Sequence, residues 1–207
     1  MRSKTGPILM TLGLLLLIGA FSLMTYNMRD EERADIAAMK TVQQLRTETP
    51  DLEDLDTERK LIPNYILDQE REMPIIQIDG NDYIGYIDIP SLDLSLPVME
   101  SWSYPSLKIS ACRYTGSIYH DDMVIAAHNY QRHFGGLKNL VIGDEVRFTD
   151  GDGNVFAFHV SALEQLNPTQ VDEMTESEWD LTLFTCTLGG QQRTTVRCTR
   201  VSEGPAV

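Results

Sequence analysis

From Thr5 to Met28 the sequence carries no charged residue. About 20 apolar residues are enough to cross the hydrocarbon core of a bilayer as a helix, so the run PILMTLGLLLLIGAFSLMTY is read as a single membrane-spanning helix. A cleaved signal peptide has an apolar stretch of about 7 to 15 residues with an A-x-A-like site behind it, and this run fits neither requirement. Charge alone does not orient the span. Arg2 and Lys4 precede it and Arg29, Arg33 and Lys40 follow it, while acids count little in the positive-inside rule.

Residues 30 to 48 are rich in helix formers, with Ile36, Met39, Val42 and Leu45 at three-residue steps and Pro50 as a stop. They predict a helical stalk. The stretch TPDLEDLDTE that follows has no apolar periodicity and reads as an extended linker. Ten of the 31 acidic residues lie between residues 30 and 58, which suits a solvated stalk. The formal net charge of -14, from 17 basic against 31 acidic residues, repels phosphates and argues against a nucleic-acid partner.

Beyond the linker the texture changes to short β-rich runs broken by turn residues: YIGYIDIP, LSLPVME, MVIAAH, GDEVRFTD, NVFAFHVSAL, LTLFTC and TTVRCTRV. Strands at this spacing predict an all-β barrel or sandwich. The organisation is therefore 1–28 N-terminal tip and transmembrane anchor, 29–72 acidic helical stalk and linker, and 73–207 a β-domain. TDGDGN resembles the start of a calcium loop, but Val155 stands where that loop needs Gly and Ser161 where it needs Glu; a hairpin turn is expected.

Three cysteines, Cys112, Cys186 and Cys198, are too few and too odd in number for a disulfide framework. Cys186 ends the run LTLFTC and is followed by TLGGQQ, whose glycines let backbone approach a ligand. By residue type alone a buried small hydrophobe is the default for a free cysteine. Its company argues otherwise: His128 ends another apolar run, MVIAAH, and Arg193 and Arg197 follow Cys186 on the next one. Such a trio supplies a nucleophile, a proton donor or acceptor, and a cation for a developing oxyanion. If LTLFTC and RTTVRCTR form a hairpin, Cys186 faces Arg193 across it, and Arg197 lies about 13 Å further along the strand. His120, His133 and His159 read as solvated or structural, and no histidine pair has metal spacing.

These residues resemble the sortase family. TLFTC (Thr182 to Cys186) is similar to its TLxTC signature, VIAAHNY (Val124 to Tyr130) to its histidine segment, and Arg193 to its arginine, in the same order His, Cys, Arg. YTGS (Tyr114 to Ser117) and the anchor with its stalk suit the family too, and the resemblance covers roughly residues 80 to 202. Ala127 departs from the pattern, standing where the family has Gly before the histidine. The short Cys186–Arg193 loop and the Asn-Tyr after His128 resemble class B-like sortases.

The resemblance implies a closed β-barrel of about eight strands with short helices, and a transpeptidase at the outer surface of a Gram-positive cell. Cys186 is the nucleophile, His128 the proton donor and Arg193 the oxyanion partner; Asn129, Thr185 and Thr187 contact substrate. Partners are secreted proteins with an LPxTG-like C-terminal sorting signal, and an amine from a cell-wall precursor or a pilin. No cofactor and no metal is implied. The segment Leu166 to Asp180 walls the substrate groove, with a capping box at Thr175 and Glu178 starting a helix and its acids at the surface. The alternatives are a cysteine endopeptidase that only hydrolyses, and a catalytically silent domain that binds a wall protein.

Overall fold

The computed structural model describes residues 5–50, 63–68, 70–176, 178–187 and 189–201. The linker expected at TPDLEDLDTE falls, from residue 51 on, outside the described residues. Nine strands follow the N-terminal helix α1 (Thr5–Glu48) and the single turn α2 (Asn64–Leu67). They are β1 (Ile76–Ile78), β2 (Asn81–Ile89), β3 (Leu94–Met99), β4 (Ala111–Thr115), β5 (Met123–Ala126), β6 (Glu145–Asp150), β7 (Val155–Leu166), β8 (Leu181–Cys186) and β9 (Arg193–Arg200). One-turn helices α3 (Tyr104–Leu107) and α4 (Val171–Thr175) lie between strands.

The sheet order is β1-β2-β3-β4-β5-β8-β9-β7-β6, and β6 pairs back onto β2. Strands β2 to β9 therefore close an eight-stranded barrel, with β1 as a short addition to β2. The seven apolar runs of the sequence all appear as strands; β1 and β4 are additional. Closure brings two backbones very close. Gly85 pairs with Val98 of β3 and Asp150 of β6 at φ +145°, and a Cβ there would lie 2.0 Å from the Thr149 carbonyl oxygen. Only glycine fits.

Alternation along each strand sends Leu181, Leu183, Ile125, Val196, Phe148 and Phe158 into the barrel, where all are fully buried. The even-numbered residues of β8 point outward. TDGDGN is the β6–β7 turn: the Asp150 carboxylate accepts from the Asp152 and Asn154 N–H groups at 2.9 Å each. That acid is used by its own turn.

Helix α1 differs from a solvated stalk. It is continuous from Thr5 to Glu48, ends before Pro50 as expected, and packs along β1, β2 and β3. Its buried face is Ala34, Ala38, Thr41, Val42, Leu45 and Thr49, whereas Ile36 and Met39 are 64% and 57% exposed. The reason is angular. At about 100° per residue, positions nine apart such as Ile36 and Leu45 face opposite ways; the steps of three and four that the buried residues follow stay on one face. Leu45 enters a cluster with Ile78, Tyr83, Met99 and Cys112, and ion pairs Lys40–Asp79 and Arg46–Asp88 border the seam.

The capping box is also corrected. Helix α4 precedes it, and Thr175 is its last residue, with Oγ1 donating to the Val171 carbonyl.

Leu45→Ala should destabilise the full chain by about 2–5 kcal/mol, because Leu45 is fully buried. Met39→Ala should cost less than about 0.5 kcal/mol. Denaturant titration in detergent micelles compares them; equal effects would mean that α1 does not dock through this face.

Candidate active site

The site follows from strand register. Strands β5 and β8 run parallel, pairing Met123 with Leu181 and Ala126 with Phe184. Beyond the end of β5 the same register continues, because Ala127 N–H donates to the Phe184 carbonyl (3.2 Å) and the Thr185 hydroxyl to the Ala127 carbonyl (2.8 Å). One more step sets His128 beside Cys186. On the other side of β8, antiparallel β9 pairs Cys186 with Arg193 and Thr182 with Arg197. Cys186 and Arg193 are thus cross-strand partners on β8 and β9, and His128, two residues past the end of β5, follows the segment tied to Phe184 and Thr185. By alternation all three belong to the outward face, with Val124, Ala126 and Phe184.

Cys186 is a free, partly exposed thiol, whereas Cys112 and Cys198 are fully buried, and burial raises both of those to about 12. Only Cys186 is positioned to react. The loop behind it is built by Gly189 and Gly190 at φ 87° and 71° and closed by Thr187, whose N–H donates to the Gln192 carbonyl at 2.9 Å. Arg193 Nη1 reaches the carbonyls of Gly190 (3.2 Å) and Gln192 (3.3 Å).

His128 is half-buried, and its ring lies 4.9 Å from that of Tyr130. Its basicity is lowered from the ordinary 6.5, first by burial and then by Lys108, with the Asp30 carboxylate acting in the opposite direction. Tyr130 in turn contacts His133, rings 5.3 Å apart. His133 is 1% exposed and no described group hydrogen-bonds either ring nitrogen; it is structural, where a polar loop suggested either role. His120 and His159 are exposed.

The other expected contacts find different uses. Thr185 is buried and its hydroxyl ties β8 to the His128 segment; the Thr187 hydroxyl accepts from Gln192 N–H. Both line, with Asn129 and Cys186, a cleft of about 1270 Å³ between α1 and the end of the barrel. Arg197 lies inside the outer layer at 2% exposure, donating to Met174 O, Glu173 O and Thr182 Oγ1. It fastens the α4 segment to the barrel, and Met174 then packs with Val124, Leu166, Tyr114 and Phe184 on the face that carries Cys186.

Sequence reading passed over the aromatic ladder on this face, in which Tyr114 stands between Trp102 and Phe184 at 5.3 Å from each. The period-two step from Phe184 to Cys186 was the available signal. Among the described residues no group of three or more His, Cys, Asp or Glu is arranged to hold a metal.

The family model for the sortase domain matches residues 87–201, more than half of the 207 residues. The chain belongs to the sortase family. This sortase is thereby a cysteine transpeptidase of the family that anchors proteins or pilins to the cell wall. Among solved structures it is similar to a sortase C of Streptococcus suis, with 27% identity, 59% of this chain and 75% of that one covered, and a TM-score of 0.51. Two Clostridium perfringens structures share the fold. One is a sortase C with the C-terminal cell wall sorting motif (24% identity, 80% and 100% covered, TM-score 0.57). The other is a sortase D transpeptidase (20%, 80% and 99%, 0.56). The three carry class C and D names, where the short Cys186–Arg193 loop and the Asn-Tyr after His128 point to a class B-like enzyme. No curated protein matches the chain.

The buried His133 predicts an acid-labile fold. Burial, and next the charge of His128, lower His133 to about 4 from the ordinary 6.5. Between these values the unfolded chain binds a proton that the folded chain does not, so stability present above pH 6.5 is lost towards pH 4. Denaturant unfolding should show this loss between pH 7 and 4.5, and His133→Phe should flatten it; an unchanged slope would disprove the assignment.

Proposed function

We propose that this sortase cleaves an LPxTG-like sorting signal through a Cys186 thioester and passes the acyl group to an amine of a cell-wall precursor or a pilin. The observation that carries the reading is the Cys186–Arg193 cross-strand pair, with His128 one residue beyond Ala127, whose N–H donates to the Phe184 carbonyl on the other side of β8. Cys186 gives its thiol proton to His128 as Sγ attacks the Thr carbonyl of the signal, and the Arg193 guanidinium stabilises the tetrahedral oxyanion. As the Thr–Gly C–N bond breaks, His128 gives its proton to the departing amine. An incoming amine then attacks the thioester, His128 takes its proton, an amide forms and the thiol is released.

Burial and Lys108 favour neutral His128, the form that accepts a proton in the second step. The α4 segment and the aromatic ladder flank the face on which an extended peptide would lie. We place the protein as a single-pass membrane protein, anchored by the one described helix long and apolar enough to cross a bilayer. The catalytic domain is extracellular in this reading, and confinement of enzyme, substrate and acceptor to one surface raises their effective concentrations.

The full chain in micelles, incubated with a library of LPxTG-like peptides, should yield an acyl group trapped on Cys186 and, with an added amine, a transfer product. Hydrolysis alone would favour an endopeptidase, and binding alone a silent domain. Cys186→Ala should abolish turnover and keep the fold.

Arg193→Lys should slow acyl-enzyme formation by about 100-fold, since an ammonium does not reproduce the planar fork. Arg197→Lys should act mainly on stability, because Arg197 is spent on Glu173, Met174 and Thr182. The reverse ranking, measured by rapid-quench acylation, would reassign the oxyanion role.

A further inference from the structure

Directly after the apolar run, α1 presents Asp30, Glu31 and Asp35 to the loop that follows His128. Three consecutive loop residues are held. Tyr130 Oη donates to Asp30 Oδ2 (3.4 Å), Gln131 N–H to Glu31 Oε1 (2.5 Å), and Arg132 Nε pairs with Asp35 Oδ2 (3.0 Å). Ala34 and Ala38, buried at 8% and 3%, let the helix approach closely on this side. Tyr130, the first residue held, carries its ring against His128 on one side and His133 on the other.

We propose that the acidic turn Asp30–Asp35 of α1 is a positioning clamp for the His128 loop, so that the segment leaving the membrane also sets the geometry of the site. Each contact alone is a partly exposed pair of small worth. Together they fix successive residues of a segment that has no regular secondary structure between Ala126 and Phe134. The gain is in placement. A displacement of about 1 Å at a proton-transfer group can cost on the order of 100-fold in rate.

The clamp also defines depth. Helical rise puts Asp30 about 3 Å and Asp35 about 10 Å beyond Met28, and the interfacial layer is roughly 5–8 Å thick on each side. In the single-pass reading the His128 loop is thus held from the lipid headgroups, at Asp30, to just beyond them, at Asp35.

The clamp carries an electrostatic signature. The charged or titratable groups that act on His128 are Lys108, ahead of β4, and Asp30 of α1, while His128 itself acts on His133. Asp30 favours the imidazolium; Asp30→Asn removes that support and should move the His128 titration to lower pH.

The test uses the full chain in lipid nanodiscs, with two readouts. Histidine NMR titration should show His128 shifted to lower pH in Asp30→Asn and unshifted in Glu32→Gln, an exposed neighbour off the clamp. Acylation by a sorting peptide should fall about tenfold in the triple variant Asp30→Asn/Glu31→Gln/Asp35→Asn. The pair Asp35→Arg/Arg132→Asp should recover most of what either single change loses. An unmoved titration, a triple variant acylating at the parental rate, or a swap no better than its single changes would each overturn the clamp. Acylation rests on the transpeptidation reading, whereas titration does not. A parent that forms no thioester would therefore refute that reading, and the titration would decide the clamp.

Discussion

The geometry of the site depends on the backbone hydrogen bonds around β8. This strand is parallel to β5 on one side and antiparallel to β9 on the other, and its last residue therefore meets the end of one neighbour and the beginning of the next. A shift of one residue in either pairing would turn its partner to the opposite face. The Thr185 hydroxyl, bonded to the Ala127 carbonyl, holds the register where regular pairing with β5 has stopped. Barrel closure through Gly85 protects both sides of this arrangement, since closure removes the free edges at which strands slip.

Two arginines four residues apart on β9 show how burial divides roles. Arg197 is enclosed, donates to carbonyl and hydroxyl acceptors and pairs with the Glu164 carboxylate at 3.4 Å; it resembles a structural bolt, fixed where an unpartnered charge would be costly. Arg193 lies at the strand's start, partly exposed and, among the described residues, hydrogen-bonded to two carbonyls of its own loop. That leaves donors of its fork available to a ligand.

Much of this was legible in the sequence, for identifiable reasons. The Cys186–Arg193 pairing could be counted from the loop TLGGQQ, because a hairpin forces its two flanking residues together. Long alternating runs such as NVFAFHVSAL reveal strands by period alone. Elements that depend on distant partners were less readable. β1 is three residues long, and β4 carries Arg113, whose guanidinium is satisfied by Glu100; neither offers a run of apolar residues. Thr185 read as a substrate contact because its acceptor sits 58 residues earlier. The docked face of α1 is made largely of Ala and Thr, whose small side chains give little apolar signal, while exposed Ile36 and Met39 supply a false one.

The uninterrupted course of α1 has a mechanical consequence. With no hinge between Met28 and Glu48, and with the barrel packed along residues 34 to 49, the apolar segment and the barrel move as one rigid lever. Single spans lean by about 20° from the bilayer normal on average. The 19 residues from Asp30 to Glu48 extend the helix by about 28 Å beyond the apolar run, so in the single-pass reading proposed above a lean of that size displaces its far end sideways by roughly 10 Å relative to Asp30. In that reading a change of tilt is carried directly into β1, β2 and β3, the strands on which α1 packs.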